Sequence, residues 1–174
     1  DLLRESIRLA NGHESPEDFE TLLKSRAAPP SADHLEACRL TQDGRELTRQ
    51  GLLDLAEHKL SRALQLEPAD EGAKVAMGLL RLSRGEPDAA ERLFREVLDH
   101  DPRSPDAALG LAAADAERGG DRLGKAAESV RGIVDKNPNW ARARYVLGRV
   151  YEKQGAIDKA AAEYRRAAEL SLGR

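Results

Sequence analysis

Within this chain the segment closest to a chemical motif is Gly119-Gly120-Asp121-Arg122-Leu123-Gly124-Lys125-Ala126, which has the glycine and lysine spacing of a phosphate-cradling loop. That loop needs a hydroxyl after the lysine to hold magnesium and a strand before the first glycine. Here Ala126 follows Lys125 and a helical stretch precedes Gly119, so a lengthened turn is the expected reading. The four histidines, His13, His34, His58 and His100, are not paired at ligand spacing. Asp99-His100-Asp101 invites a metal reading, but a zinc site needs about four convergent ligands, and a solvated helix end ahead of Pro102 accounts for it. The single cysteine, Cys38, sits near the start of a helix with no adjacent histidine partner, which suits a packed or idle thiol. Glu91/Arg95 and Glu163/Arg166 have helical spacing and mark a solvated face. No nucleophile, base and cofactor loop converge, so neither an enzyme nor a cofactor is expected.

The elements that carry these residues are bounded by composition. The chain has 174 residues, enough to bury a core without metal or disulfide, and one thiol excludes an intrachain disulfide framework. Lys+Arg 28 against Asp+Glu 31 lacks the basic excess of a general nucleic-acid binder, so no nucleic-acid partner is expected. No apolar run approaches a membrane span. Aromatic content of 3% with 34% charged residues and abundant Ala, Leu, Arg and Glu points to an all-α chain. It begins with Asp1 rather than Met and no signal-like segment follows, so a processed or partial chain is expected. A cytoplasmic location is the expectation, with the periplasm, its leader removed, as the alternative.

Self-similarity organises the rest. Gly51, Gly85, Gly119 and Gly155 recur at spacings of 34, 34 and 36; Ala56, Ala90, Ala126 and Ala160 at 34, 36 and 34. Leu60, Phe94, Val130 and Tyr164 follow the same step, and Pro68, Pro102 and Pro138 close three units. A two-residue insertion within 119–124 explains each 36. Each unit reads as two helices joined at the recurring glycine, which tolerates the left-handed backbone that ends a helix. The prolines stop the second helix. The recurring alanine permits close helix crossing, where a larger side chain would overpack by roughly 1–3 kcal/mol.

These residues resemble the tetratricopeptide repeat. Leu147-Gly148, Tyr151, Gly155, Ala160, Tyr164 and Ala167 fall on its pattern in order, with Arg144 where the pattern has Trp; the second unit has Lys74 and Arg81 at two of its apolar positions. The resemblance implies a right-handed superhelical solenoid of four helix-turn-helix units, about 37–70, 71–104, 105–140 and 141–174. Residues 1–36 are expected to form an N-terminal helical extension or cap, from the periodicity of Leu2, Leu3, Ile7 and Leu9 and of Phe19, Leu22 and Leu23. The sequence ends within the second helix of the fourth unit with no capping helix, so either the native protein continues or that helix, around Tyr164, Ala168 and Leu172, is a candidate contact for a homo-oligomer.

The resemblance also implies that the first helices line a concave groove that binds a protein or peptide. Its positions are Thr41, Gln42, Arg45, Thr48 and Arg49 in the first unit and Val75, Leu79 and Leu82 in the second. The third unit gives Leu109 and Ala113; the fourth gives Arg142, Tyr145, Arg149 and Lys153. This predicts an apolar middle with basic ends. Val75, Leu79 and Leu82 form one stripe that reads either as groove or as core. Thr41 and Arg45 stand where one subfamily carries lysine and asparagine of a carboxylate clamp, so chaperone-tail binding is not expected. The expected role is a scaffold or adaptor, with a self-assembling module or a regulatory appendage of a larger protein as alternatives.

Overall fold

Glycines in the left-handed region set the turns of this all-α solenoid, which a computed structural model describes over residues 31–173. Among the described residues there are eight helices: α1 Ala32–Arg49, α2 Leu53–Leu66, α3 Glu71–Ser83, α4 Pro87–His100, α5 Pro105–Arg118, α6 Arg122–Lys136, α7 Ala141–Lys153 and α8 Ile157–Ser171. Gly51, Gly85, Gly119 and Gly155 have φ of 77°, 74°, 71° and 75°. In three hairpins the turn closes alike: Leu52 N donates to Leu47 O, Glu86 N to Arg81 O and Ala156 N to Tyr151 O, at 2.9–3.0 Å. The third differs at the predicted insertion, where Gly120 is also left-handed, with φ 58°. Helix starts are equally local. Asp70 caps α3 by accepting from the Gly72 amide at 2.8 Å, Ser104 caps α5, and Pro87 and Pro105 occupy first turns.

Helix α1 begins at Ala32, ahead of the expected 37. The expected helices of the N-terminal extension lie outside the described residues.

Packing follows from a size rule repeated along the chain. A Cβ on Gly44 would stand 2.5 Å from Leu60, on Gly78 2.6 Å from Phe94, and on Gly148 2.7 Å from Tyr164. In the third unit Ala112 takes the glycine's place, and the smaller Val130 lies in the same buried cluster. Phe94 is also pressed by Gly110 of the following unit, so one ring locks α3, α4 and α5. The recurring Ala56, Ala90, Ala126 and Ala160 are all buried. Helices α2, α4 and α6 each pack on the odd helices before and after them, α8 packs on α7, and consecutive odd helices pack on one another; the odd helices therefore form one continuous layer.

Ion pairs stitch successive units at equivalent positions. Arg84, just before the turn glycine, reaches Asp54 at 2.6 Å and Glu57 at 2.7 Å in the preceding unit; Arg118 reaches Asp88 and Glu91 in the same manner. Glu91 thus faces the next unit as well as Arg95, and Glu163 pairs with Arg144 rather than Arg166, so these are not simply a solvated face. The Arg118 hydrogen bond and charge hold the Asp88 carboxyl below its ordinary range. Burial pushes Glu91 up, but Arg118 outweighs it and Glu91 also lies low. Both carboxyls therefore favour folding above the ordinary carboxylate range, and the gain is lost as pH falls below it. Thermal melts should show Arg118→Met well below wild type at pH 7, with the gap closing toward pH 3. A gap independent of pH would mean that ionisation of Asp88 and Glu91 does not carry the stabilisation.

Candidate functional site

The odd-helix layer carries a concavity of about 190 Å3 between α3, α5 and α7. Leu79, Leu82, Ala113 and Val146 and the ring of Tyr145 line it together with Ser83, Arg142 and Arg149. On α5 it is floored by the small Ala113 and by Gly110, whose own Cβ direction is taken by the Phe94 ring. Tyr145 is 53% exposed, and its ring meets Tyr164 at 5.5 Å between centroids, tilted by 46°. Tyr164 donates its hydroxyl to Glu152 at 2.7 Å; burial first, and Glu152 second, push its pKa up to about 12.

Of the residues expected in the groove, Leu79, Leu82, Leu109, Ala113, Arg142, Tyr145 and Arg149 come together here. Leu109 contributes only from behind, at 0% exposure. Val75 does not belong: at 3% exposure it is core, packed with Ala90, Phe94, Val97 and Ala107. The stripe therefore splits, with Val75 inside and Leu79 and Leu82 half-buried at the surface. Thr41 is also buried, its hydroxyl 3.5 Å from Asp70. Gln42, Arg45, Thr48, Arg49 and Lys153 lie outside the concavity, and the Thr48 hydroxyl is spent on Gly44 O at 2.8 Å.

The expected basic ends are corrected by pairing. Arg142 meets Asp106 at 2.9 Å, Arg149 and Lys153 share Glu117, Arg49 pairs with Glu46, and Arg45 donates to Gly72 O at 3.0 Å. Arg142 is pushed below its ordinary value, chiefly by burial; Asp106 opposes the fall and the like charge of Arg45 adds to it. Asp106 and Glu117 escaped the sequence reading. Their signal was register: Asp106 stands one unit before Arg142, and Glu117 one unit before Lys153. The departures from the repeat pattern are filled the same way. Lys74 pairs with Glu96 at 3.1 Å, Arg81 with Glu57 and Glu86, and Arg144 with Glu163 and Pro138 O.

A second polar cluster corrects the reading of Cys38. His34, one helical turn earlier, places Nε2 3.7 Å from the exposed Cys38 Sγ, while its Nδ1 lies 2.7 Å from Glu67 at the end of α2. The spacing of four along a helix was the available signal. Among the described residues no cluster has the makings of a metal site, and no helix is long and apolar enough to cross a membrane.

Comparison with known proteins places these features. Two tetratricopeptide-repeat sequence profiles match residues 111–171 and 81–121. Among solved structures, TTC0263, a thermophilic TPR protein of Thermus thermophilus, is 24% identical, with TM-score 0.65 over 77% of this chain and 74% of that one. PilF of Pseudomonas aeruginosa is 18% identical, with TM-score 0.62, over 83% of this chain and 65% of that one. MamA, residue 41 to the end, of Desulfovibrio magneticus RS-1 is 22% identical, with TM-score 0.55, over 79% and 77%. At these identities the likeness is one of fold. No curated protein matches the sequence.

Proposed function

This chain belongs to the tetratricopeptide-repeat family, and from that premise we propose that it is a non-catalytic scaffold whose odd-helix layer holds an extended or helical segment of a partner protein. Repeats of this family generally mediate protein–protein interaction. The observation that carries the reading is the concavity itself, with Leu79, Leu82 and a largely exposed Tyr145 converging on space that α5 leaves open. Because Arg142 and Arg149 already have carboxylate partners, an apolar anchor supplies most of the affinity. Full burial of one such side chain is worth about 1.5–3 kcal/mol. Acidic groups of the partner take up Arg142 and Arg149 by exchange with Asp106 and Glu117, which adds orientation more than strength.

Peptides selected from a random library against the wild-type chain supply the probe. Tyr145→Glu and Leu79→Glu should each weaken the selected peptides at least tenfold, with the melting temperature of Tyr145→Glu near wild type. Arg45→Glu, outside the concavity, should change little. Peptides that bind both pocket variants as tightly as wild type would end this reading.

A second reading, a homo-oligomer through α8, draws on the exposure of Ala161, Ala168 and Leu172, the last at 70%. Tyr164 contributes less than expected, being held by Glu152. Light scattering across a concentration series decides it: a mass that stays monomeric removes the reading.

A further inference from the structure

Two helical glycines serve no packing need. Gly44, Gly78, Gly110 and Gly148 each face a leucine or a ring that leaves no room for a Cβ, whereas a Cβ on Gly124 or Gly132, both within α6, would meet nothing within 4 Å. Glycine loses more backbone freedom in a helix than any other residue, so α6 gains less by forming than a helix without these two. Its start is poorly supported as well. Asp121 stands at the N-cap without making a capping bond, and the first turn carries Arg122 and Lys125 with no carboxylate, against the preference of a helix's positive end. Among the described helices, only α6 and α7 lack both a capping side chain and an acidic first turn. The residue that α6 buries at the helix crossing is Val130, where the first two units bury the larger Leu60 and Phe94.

The clamp that joins the earlier units is absent at α6. Arg84 and Arg118, each just before a turn glycine, grip Asp54 with Glu57 and Asp88 with Glu91 on the even helix of the preceding unit. In register, Gly124 and Ala127 stand in place of those carboxylates and Gln154 in place of the arginine; Gln154 Nε2 donates to Leu123 O at 3.1 Å. The fourth unit is tied past α6 instead. Arg142 with Asp106, and Arg149 and Lys153 with Glu117, join α7 directly to α5. The third and fourth units can therefore stay joined while α6 loosens.

Leu109 connects α6 to the concavity. It is fully buried, packs with Val130 and Val134 of α6 and with Ala143 and Leu147 of α7, and closes the concavity from behind. We propose that α6 opens locally from its seat on α5 and α7, and that Leu109 couples this opening to the concavity, so that a partner segment held there keeps α6 closed. The coupling rests on the reading of the concavity as the partner's site. With α6 seated, Leu109 is fixed from both sides and the concavity keeps its floor. With α6 released, Leu109 loses Val130 and Val134, and the floor is free to shift. A ligand that needs the floor binds the seated state better and by linkage shifts α6 toward it. Binding on the odd-helix layer is thereby registered on the outer side of α6, where Glu128, Arg131 and Asp135 are exposed.

Hydrogen exchange of the whole chain, read by mass spectrometry, tests this. In the free chain, protection in α6 should lie at least tenfold below that in α4, its counterpart in the second unit. Gly124→Ala with Gly132→Ala, neither of them in the concavity, should raise α6 protection about tenfold, since alanine in place of a helical glycine contributes roughly a factor of four to five at an interior site. A peptide selected against the chain, and weakened by Tyr145→Glu, should at saturation slow α6 exchange at least tenfold. Protection in α6 equal to that in α4, or unmoved by the two alanines, overturns the proposal, as does a Tyr145-dependent peptide that leaves α6 exchange unchanged. If no peptide depends on Tyr145, the reading of the concavity falls and the coupling with it, while faster exchange in α6 than in α4 upholds the opening by itself.

Discussion

Phe94→Ala is expected to destabilise the array by about 3–5 kcal/mol, the range found when a fully buried aromatic is truncated in a packed core. For a chain of this length that lowers the melting temperature by roughly 10 °C. The reason lies in the two glycines that face the ring. Gly78 of its own unit and Gly110 of the next carry no side chain that could move into the space, and α3, α4 and α5 can close only by shifting backbone. Because units in a solenoid support only their neighbours, the loss should be local. Hydrogen exchange should show α3, α4 and α5 losing protection first, with α8 retaining more. Uniform loss along the whole chain would mean that the array melts as a single unit.

The same ring explains which part of the site was legible. Turn glycines, buried alanines and unit-ending prolines repeat in register because each satisfies a backbone or packing need that recurs identically, and periodicity exposes such needs directly. The stripe of Val75, Leu79 and Leu82 could not be divided that way. All three lie on one face of α3, and what separates them is the neighbour. Val75 meets Phe94, Val97 and Ala107, whereas Leu79 and Leu82 look across to Gly110 and Ala113, which leave them partly open. Burial here is a property of the helices packed on α3, from its own unit and the next, and not of α3's own pattern. Charge posed a similar difficulty. Lys74, Arg81 and Arg144 read as departures from the repeat, yet each has a carboxylate partner on another helix. The pairing of Arg84 with Asp54 and Glu57, and of Arg118 with Asp88 and Glu91, recurs at a spacing of 34 on both sides. Acidic and basic positions taken in register carry that signal as plainly as the glycines and alanines do. The basic end in the fourth unit was hidden for the same reason, since Arg142, Arg149 and Lys153 have their carboxylates, Asp106 and Glu117, on α5, out of sight of their own helix's pattern.

Substitutions in the first unit can test the size rule against the chain's own variation. Gly44→Ala alone should cost about 1–3 kcal/mol, because the added methyl would stand 2.5 Å from the Leu60 side chain, which is fully buried. Leu60→Val alone should cost roughly 1 kcal/mol for the methylene removed. Together they should cost less than the sum, by a coupling of roughly 0.5–3 kcal/mol, since the smaller side chain vacates the space the methyl needs. The third unit already uses this combination: Ala112 and Val130 are both buried in one cluster, and α5 and α6 pack without the glycine. Urea melts of the four chains in the cycle measure the coupling. Strict additivity would mean that the α1–α2 crossing is set by backbone contact, and that Ala112 is tolerated because of the longer turn at Gly119-Gly120 rather than because Val130 is small.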